Sequence, residues 1–360
     1  MKNSSENFNQ LFDTSSTIKV SSHARVNLIG EHTDYTGGYV MPTLLPFKTN
    51  IFLNENINKN YSVFSEYFNE KFEFNDFIKS KSNSWIDYIK GCLFIFFDEN
   101  KKLDNTYVKI FIKSDIPVGR GISSSSALCV GTIKALNIFF KTGFDEKHIA
   151  ILAQKVEKNY IGIPTGIMDQ MVSSVGIPGK AFFLDCLSLK YELIDIPSNW
   201  DFCLIDSDVQ RNLRDSSYNE RYNELKNAEE ILNTQHLGTT KINQLNKESF
   251  DNKIIYKRAK HVVSENQRVL DAKISLKEKD IEKFGFLMNK SHESYSKDFE
   301  ASTNDVDIIA DRSLKSGASG CRLTGGGFGG FTVSLIEKNK YDDWYNKMLN
   351  YYNQNKFFKI

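Results

Sequence analysis

The chain has 360 residues, of which 40% are hydrophobic, so it is long enough for a sizeable buried core and favours two domains over one. Its 46 Lys and Arg residues nearly balance its 45 Asp and Glu residues, which argues against a nucleic-acid-binding surface and an acidic tail. Five scattered cysteines without a CxxC pair argue against a disulfide framework or zinc site and indicate buried, reduced thiols.

The N-terminus lacks the apolar stretch of a secretion signal, and no apolar run reaches the length of a membrane span. We therefore expect a soluble cytoplasmic protein.

Strands and helices mix along the first half of the chain without strict alternation, which predicts an α+β fold. Residues 1–17 are polar and are expected to be frayed. A strand over 17–30 leads into a loop, and antiparallel strands are predicted over 51–74. A helix over 85–100 and a strand over 107–119 follow, the strand ending in a Pro/Gly loop.

Two helices are predicted in the middle of the chain. The first covers 127–143, with Gly143 as its C-cap. Asp145 is expected to cap the second. Its apolar stripe comprises Ile149, Leu152, Ala153, Val156 and Tyr160.

The second half of the chain is predicted to continue the mixture of strands and helices. Strands are expected over 181–196 and 201–207, followed by a charged and mostly helical region over 212–300. A glycine-rich turn within 317–336 then feeds a strand, and a terminal helix follows.

The segment "IPVGRGISSSSAL", Ile116 to Leu128, has the composition of an anion-binding loop. Gly119 and Gly121 allow the backbone to approach a ligand, and four serines then open a helix, where free N–H groups and the positive end of the helix dipole favour anions. The alternative is a Gly/Ser turn with serine N-caps. Because the GxxxxGK[ST] spacing is absent, the segment is not a Walker A loop.

A second glycine-rich segment, "LTGGGFGGF", covers Leu323 to Phe331 and runs directly into apolar strand residues. Its backbone is suited to pass close to a ligand, although a plain tight turn explains the same pattern.

The stretch "RVNLIGEHTDY", Arg25 to Tyr35, places polar side chains directly after an apolar strand. Glu31, His32 and Asp34 supply hydrogen-bond donors and acceptors, which suit a ligand with several hydroxyl groups. One histidine and two carboxylates could instead hold a metal ion, and the residues alone leave both interpretations open.

Two further carboxylates are candidates for the reaction. Glu157 lies in a charged helix, where carboxylates are usually solvated, and Asp169 lies in the apolar, glycine-rich "GIPTGIMDQM". A buried carboxylate at 169 needs a partner, and Arg25 is one candidate. Because a buried Arg–Asp pair is also an ordinary structural device, catalytic and structural roles remain equally open.

Taken together, "RVNLIGEHTDY", "PVGRGISSSSA" and "LTGGGFGG" resemble, in order and spacing, the three motifs of the GHMP small-molecule kinases. The first motif resembles the signature of the galactokinase branch. The resemblance runs from about residue 20 to about residue 335 and includes four further segments, which are "WIDYIKG", "GIPTGIMDQ", "LDCLSL" and "NLRDSSYNER".

The resemblance implies a two-domain α+β GHMP kinase fold. An N-terminal ribosomal-protein-S5-like domain would cover 1–185, a C-terminal ferredoxin-like domain would cover 186–360, and the active site would lie between them. The implied reaction transfers the γ-phosphoryl group of ATP to the anomeric hydroxyl of α-D-galactose, with Mg²⁺ as cofactor.

The resemblance also implies roles for individual residues. Asp169 would be the catalytic carboxylate, oriented by Arg25. Mg²⁺ would be held by Ser125 and Glu157. The sugar hydroxyls would be bound by Glu31, His32, Asp34, Gly166 and Tyr218. ATP would be bound by Gly119, Arg120, Gly121, Ile122, Ser123, Ser124 and Ser125 at its phosphates, with Trp85 and Tyr88 near the adenine.

The sequence departs from the usual pattern of the family in three ways. "SHARVN" replaces the usual Pro-Gly before Arg25, Arg120 and Ser126 stand where small residues are commoner, and Arg211 stands where histidine is common. The alternatives are a related sugar-1-kinase acting on N-acetylgalactosamine or L-arabinose, and a non-catalytic sugar and ATP sensor. The expected partners are small molecules, without nucleic acid or membrane, and the expected state is a monomer or weak homo-oligomer.

Overall fold

The computed structural model describes residues 4–80, 84–101, 103, 106–209 and 216–360. The strands in these ranges are β1 Ile18–Asn27, β2 Tyr39–Val40, β3 Pro42–Glu55, β4 Tyr61–Ser65, β5 Glu70–Phe74, β6 Val108–Ser114, β7 Lys180–Asp185, β8 Lys190–Asp195, β9 Trp200–Asp206, β10 Gly320–Leu323, β11 Phe331–Glu337 and β12 Phe357–Lys359. The α-helices are α1 Ser4–Phe12, α2 Ile86–Glu99, α3 Ser124–Phe140, α4 Glu146–Lys155, α5 Met168–Val175, α6 Ser216–Ile231, α7 Lys253–Glu278, α8 Ile281–Lys297, α9 Asn304–Ser316 and α10 Tyr341–Leu349. A π-helix, Val156–Ile161, directly follows α4, and short 3₁₀ helices occupy Leu237–Thr239, Ile242–Gln244, Lys247–Ser249, Lys338–Lys340 and Gln354–Lys356. The mixture confirms the α+β class.

The described residues form two compact units, each built from separate stretches of the chain. The first consists of Met1–Ala24, Leu45–Pro117 and Ser123–Val175, and the second of Arg25–Leu44, Val118–Ile122 and Gly176–Ile360. The division into 1–185 and 186–360 stays a prediction.

The first unit packs helices against a sheet. In this sheet β3 pairs antiparallel with β6, β6 parallel with β4, and β4 antiparallel with β5. Helices and strands share one buried cluster, which includes Leu93 of α2, Ile133 of α3, Leu152 of α4, Ile51 of β3 and Ile110 of β6. The antiparallel pairing predicted within 51–74 is therefore confirmed for β4 and β5 only, since β3 pairs with β6 instead of β4.

The expectation that the N-terminus is frayed is wrong for helix α1. Phe8 is fully buried and Phe12 is 7% exposed, and both pack in a cluster with Phe52 and Phe111. Phe8 and Phe12 lie four residues apart, so they share one face of the helix. Burial of this face stabilises a segment that its composition alone would classify as polar.

Two predicted caps can be compared with the structure, one at the C-terminus of α3 and one at the N-terminus of α4. Helix α3 ends at Phe140, and Lys141 is its C-cap with a left-handed φ of +53°, so the C-cap prediction for Gly143 is wrong. Asp145 does cap α4, because its side chain accepts a hydrogen bond from the His148 N–H at 2.7 Å.

The second unit contains an antiparallel sheet in the order β10-β11-β9-β12. Strand β7 pairs antiparallel with β2 and β8, and Thr43 of β3 pairs with Ala181. Helices α9 and α10 meet where the buried Trp344 indole N–H donates to the Ser313 carbonyl at 3.2 Å. The predicted helical region over 212–300 is confirmed for its described part by α6, α7 and α8.

Two predictions from composition can be compared directly with the structure. All five cysteines are free and buried, as predicted. Within the described ranges, the helices are all too short or too polar to cross a bilayer.

Candidate active site

The serine run opens helix α3 from a loop with unusual backbone conformations. Gly119 and Gly121 have φ values of +74° and +78°, and Ser123 has +64°, which is uncommon for a residue with a Cβ. Ser123 is the N-cap residue, but its hydroxyl makes no capping hydrogen bond and instead donates to Asp169 Oδ2 at 2.6 Å. The first-turn N–H groups of this 17-residue helix carry the partial positive charge that favours anions.

Arg25, at the end of β1, is fixed to the loop that precedes α3. Its backbone N–H donates to the Ile122 carbonyl at 3.4 Å, and its Nη1 donates to the Gly121 carbonyl at 2.9 Å. The side chain is only 4% exposed. A largely buried guanidinium group therefore supplies a fixed positive charge beside the loop backbone.

The glycine-rich segment Leu323–Phe331 passes close to the chain's own backbone. A Cβ at Gly330 would stand 2.7 Å from the Arg120 carbonyl oxygen, so any side chain there would clash. The Arg120 side chain forms an ion pair with Asp206, with Nη1 and Oδ1 2.9 Å apart. These contacts explain the glycine at 330 as a close backbone approach, and the approach of a ligand to the segment stays a prediction.

Glu157 is held by hydroxyl groups of the serine run. It is the second residue of the π-helix and is 3% exposed. Ser125 donates to its Oε1 and Ser126 to its Oε2, both at 2.7 Å, and the Gln170 amide also donates to Oε2. Ser125 and Glu157, the two predicted Mg²⁺ ligands, are therefore joined by a direct hydrogen bond, and their binding of a metal stays a prediction.

The electrostatics of Glu157 combine opposing effects. Burial raises the pKa of its carboxyl group, and the charge of Asp169 adds to that rise. The hydrogen bonds from the two serines and Gln170 oppose it, because they stabilise the ionised form. A bound cation would stabilise that form further.

Glu31 is paired with a buried arginine that sequence reasoning missed. Glu31 Oε1 accepts hydrogen bonds from Arg322 Nη1 at 3.1 Å and from the Gly325 N–H at 2.9 Å. Arg322 is fully buried, and among the described residues its Nε and Nη2 have no hydrogen-bond partner. Glu31 is thus the carboxylate that forms an ion pair with Arg322.

His32 lies in a chain of hydrogen bonds through two tyrosines. Its Nδ1 is 2.7 Å from the Tyr35 hydroxyl, and its Nε2 is 2.9 Å from the Tyr295 hydroxyl, which donates to the Gly325 carbonyl at 2.7 Å. Because that carbonyl only accepts, Tyr295 uses its proton there and accepts a hydrogen bond from His32 Nε2. Burial raises the pKa of Tyr35, which keeps its hydroxyl protonated beside Nδ1.

The other predicted sugar ligands are placed as follows. Tyr218 of α6 lies beside His32, with ring centroids 5.6 Å apart, and Asp34 is half-buried in the same unit. Gly166 is buried in the loop before α5. Arg211 lies outside the described residues. No group of three or more His, Cys, Asp or Glu side chains suited to a metal occurs in the part of the chain that the structure describes.

The aromatic candidates for adenine lie at the start of α2. Trp85 stacks on Phe68 with centroids 5.7 Å apart and rings within 7° of parallel, and its indole N–H donates to Glu70 at 2.7 Å. Tyr88, one turn later, packs at the edge of the first unit's core. An adenine contact by either residue stays a prediction.

A buried histidine contacts the backbone of the loop that follows β1. His261 of α7 is fully buried, and its Nε2 lies 3.3 Å from the Glu31 carbonyl. Burial lowers the pKa of the ring from 6.5 to about 4, and the neighbouring Glu265 carboxylate offsets only part of that effect. His261 is therefore neutral in the folded protein at neutral pH.

Because His261 is neutral in the folded protein, we expect the protein to lose stability in mild acid. Below pH 6.5 the unfolded chain binds a proton on His261, whereas the folded chain does so only below about 4. The free energy of unfolding should therefore fall by about 3 kcal/mol between these pH values. Urea unfolding across this range measures the slope, and His261→Gln should flatten it; an equal slope in the variant would refute the assignment.

Sequence reasoning missed Gln170 and Arg322, although each carried a signal. Gln170 follows Asp169 in an apolar segment, and Arg322 stands in the strand "GCRL" among residues that are buried. A polar or charged side chain in such a place needs a buried partner, and these two have Glu157 and Glu31.

Three segments of the chain match known families. Residues 87–176 match the N-terminal domain of the GHMP kinases, and residues 272–354 match their C-terminal domain. The fold and the serine-run loop are thus those of a GHMP kinase. Residues 6–55 match the galactokinase galactose-binding signature.

Relatives that match along nearly their whole length narrow the class to one family. The chain is 35% identical over 358 residues to a galactokinase from Fusobacterium nucleatum, covering 96% of this chain and 92% of the relative. It is 37% identical over 325 residues to a galactokinase from Pyrococcus furiosus, covering 90% of each chain. The chain therefore belongs to the galactokinase family of the GHMP kinases.

Solved structures agree with this assignment. A galactokinase from Lactococcus lactis complexed with galactose matches with a TM-score of 0.90 and 29% identity, covering 99% of this chain and 96% of that one. A mevalonate kinase from Methanococcus jannaschii, at a TM-score of 0.69 and 22% identity, shares the fold alone. The resemblance found in the sequence and the two-domain α+β fold it implied are confirmed.

Proposed function

We propose that the protein transfers the γ-phosphoryl group of ATP to the anomeric hydroxyl of α-D-galactose, giving galactose 1-phosphate and ADP. Galactokinases from two distant organisms match the chain over nearly its full length, which supports this reaction. One observation in the site carries the proposal. The serine run at the start of α3 is hydrogen-bonded to both candidate carboxylates, with Ser123 on Asp169 and Ser125 on Glu157.

Phosphoryl transfer needs little covalent chemistry from the protein, because positioning and charge neutralisation lower most of the barrier. We assign Asp169 to position and polarise the anomeric hydroxyl and to accept its proton as the O–P bond forms and ADP leaves. We assign Arg25 to stabilise the charge of the transferred group, a role that its fixed, largely buried guanidinium suits.

For ATP we propose contacts from the loop before α3 and its first turn. The phosphates would be held by backbone N–H groups and hydroxyls of Gly119, Arg120, Gly121, Ile122, Ser123, Ser124 and Ser125. Two left-handed glycines and the N-terminus of a long helix support this assignment. Trp85 and Tyr88 are the proposed adenine contacts.

For galactose we propose hydrogen bonds from Glu31, His32, Asp34, Gly166 and Tyr218. Glu31 is oriented by its ion pair with Arg322. Both ring nitrogens of His32 are bonded to tyrosine hydroxyls, so its contribution includes holding Tyr35 and Tyr295 in place. A site with fixed donors and acceptors discriminates against sugars that leave one of them unpaired.

For Mg²⁺ we propose Ser125 and Glu157 as protein ligands. The donor set fits, since Mg²⁺ prefers oxygen ligands and is usually bound by one or two protein groups together with substrate phosphates. When bound, the ion would neutralise charge on the phosphate oxygens of ATP. Ser125 and Glu157 already lie within hydrogen-bonding distance of each other at the start of α3.

Ser125→Ala should raise the Mg²⁺ concentration required for half-maximal turnover by about tenfold or more, because one proposed ligand is lost. A Mg²⁺ titration of turnover measures this. Ser174→Ala, which removes another hydrogen-bonded serine of the same unit, is the control and should leave the titration unchanged. An unchanged titration in Ser125→Ala would refute metal ligation there.

We further propose that the protein acts in the cytoplasm as a monomer or weak homo-oligomer, without nucleic-acid partners. The nearly balanced charge of the chain supports the last point. We also retain 1–185 and 186–360 as the two family domains, since the N- and C-terminal family matches fall on either side of that boundary.

The substrate assignment is tested with a panel of sugars. The purified protein is incubated with ATP and Mg²⁺ and with galactose, N-acetylgalactosamine, glucose, L-arabinose or mannose, and ADP release is followed. Galactose should give turnover well above the others. Faster turnover on another sugar would reassign the sugar pocket, and binding of sugar without ADP release would contradict an enzymatic role.

A further inference from the structure

The two oxygens of the Glu157 carboxylate have different partners. Oε1 accepts a hydrogen bond from Ser125, whereas Oε2 accepts one from Ser126 and another from Gln170. All of these residues belong to the first unit. One oxygen is thus shared with the proposed second metal ligand, and the other is held by two groups with no role so far in the reaction.

Gln170 donates to Glu157 from its amide nitrogen, although this leaves its amide oxygen unsatisfied among the described residues. The side chain is fully buried, and its Oε1 has no hydrogen-bond partner among the described residues. Its Nε2 donates to Glu157 and lies 3.4 Å from the Ser126 hydroxyl. The opposite amide orientation would turn a carbonyl oxygen toward a carboxylate, so the chemistry fixes Nε2 as the group that faces Glu157.

Local backbone structure brings these groups together. Glu157 lies in the π-helix Val156–Ile161, and π-turns within helices are frequently found at functional sites. Neighbouring residues of α5 serve both carboxylates of the site: Asp169 accepts from Ser123, while Gln170 donates to Glu157. The fourth serine of the run, Ser126, joins this arrangement through its bond to Glu157.

We propose that Ser126 and Gln170 are positioning residues for metal binding: they hold Oε2 of Glu157, so that Oε1, beside the Ser125 hydroxyl, is the oxygen presented to Mg²⁺. This inference rests on the proposed function of Ser125 and Glu157. Residues that orient metal ligands typically contribute 10- to 100-fold to metal affinity. An alternative role, in which the two residues only satisfy a buried carboxylate, affects stability without a specific effect on the metal.

The test measures Mn²⁺ binding, as a reporter for Mg²⁺, to the full-length protein with a non-hydrolysable ATP analogue by electron paramagnetic resonance. Gln170→Leu and Ser126→Ala should each raise the Mn²⁺ dissociation constant, by about 10-fold or more for Gln170→Leu. Binding of the analogue in EDTA should be unchanged. Excess Mg²⁺ should restore much of the turnover, because the lost property is affinity.

Ser173→Ala is the matched control, since it removes a buried, hydrogen-bonded side chain from the same helix α5 without touching Glu157. It should leave the Mn²⁺ dissociation constant unchanged whatever its effect on thermal unfolding. Ser126→Ala alters a single hydroxyl group, so it keeps the test decisive if Gln170→Leu fails to fold.

Glu157→Gln, measured in parallel, distinguishes failure of the positioning role from failure of the metal site. If it weakens Mn²⁺ binding while folded Gln170→Leu and Ser126→Ala stay within twofold of the unsubstituted protein, the positioning role is overturned and the metal site stands. If Glu157→Gln also has no effect, Glu157 is not a metal ligand and both proposals are overturned. Sugar-dependent ADP release by the unsubstituted protein reports separately on the reaction itself.

Discussion

Asp169→Ala should reduce galactose-dependent turnover by at least about 10²- to 10⁴-fold, the usual contribution of a positioned acid–base group. The variant removes the group that we assign to polarise the anomeric hydroxyl and to receive its proton. It also removes the acceptor of the Ser123 hydrogen bond. ATP binding should persist, because the loop before α3 and the helix N-terminus remain in place, and calorimetry with a non-hydrolysable analogue measures it.

Two controls define the result for Asp169. Asp145→Ala removes a carboxylate from the same unit that caps α4, so it should lower stability by about 1 kcal/mol and leave turnover nearly unchanged. Ser123→Ala keeps the Asp169 carboxylate and removes its donor, so its effect on turnover should be smaller. Near-normal turnover in a folded Asp169→Ala protein would contradict the assigned role.

Glu31→Gln should lower the free energy of unfolding by about 3–5 kcal/mol, the usual cost of breaking a buried ion pair. Arg322 is fully buried, and Glu31 is the carboxylate bonded to it, so the variant removes the ion pair of a buried guanidinium group. Urea unfolding measures this loss. The same change should raise the KM for galactose, since Glu31 is also a proposed sugar ligand.

A double-mutant cycle separates the cost of breaking the buried ion pair from the effect on sugar binding. Glu31→Gln combined with Arg322→Met removes both charges, so it should recover part of the stability lost in Glu31→Gln while the KM for galactose stays raised. Asp311→Asn, which breaks an exposed pair with Lys315, should change stability by less than about 1 kcal/mol. A Glu31→Gln effect as small as this control would show that the buried pair does not stabilise the fold.

Sequence periodicity predicted the elements whose signal is local. Helix α2 and strands β1 and β6 follow directly from the spacing of their apolar residues. Helix α1 escaped prediction because its stability comes from burying Phe8 and Phe12 against distant residues. The parallel pairing of β4 with β6 was missed for a related reason, since pairing between residues 47 positions apart leaves no local pattern.

For the candidate site too, some residues were predicted from the sequence and others were missed. Ser125 and Glu157 were named through a family resemblance, and the structure joins them by a hydrogen bond. Gln170 and Arg322 were missed because the sequence does not reveal their partners, which lie 13 and 291 residues away. The C-cap at Lys141 was missed because a left-handed lysine is uncommon and a nearby glycine offered a better match to the usual pattern.

The central claim is that this chain phosphorylates the anomeric hydroxyl of α-D-galactose, and the most direct test is to identify the product. Galactose, ATP and Mg²⁺ are incubated with the protein, and ³¹P and ¹H NMR spectra are recorded. The account predicts ADP and a phosphate ester on the anomeric carbon in the α configuration. Phosphate on any other hydroxyl, or release of inorganic phosphate without a sugar ester, would contradict it.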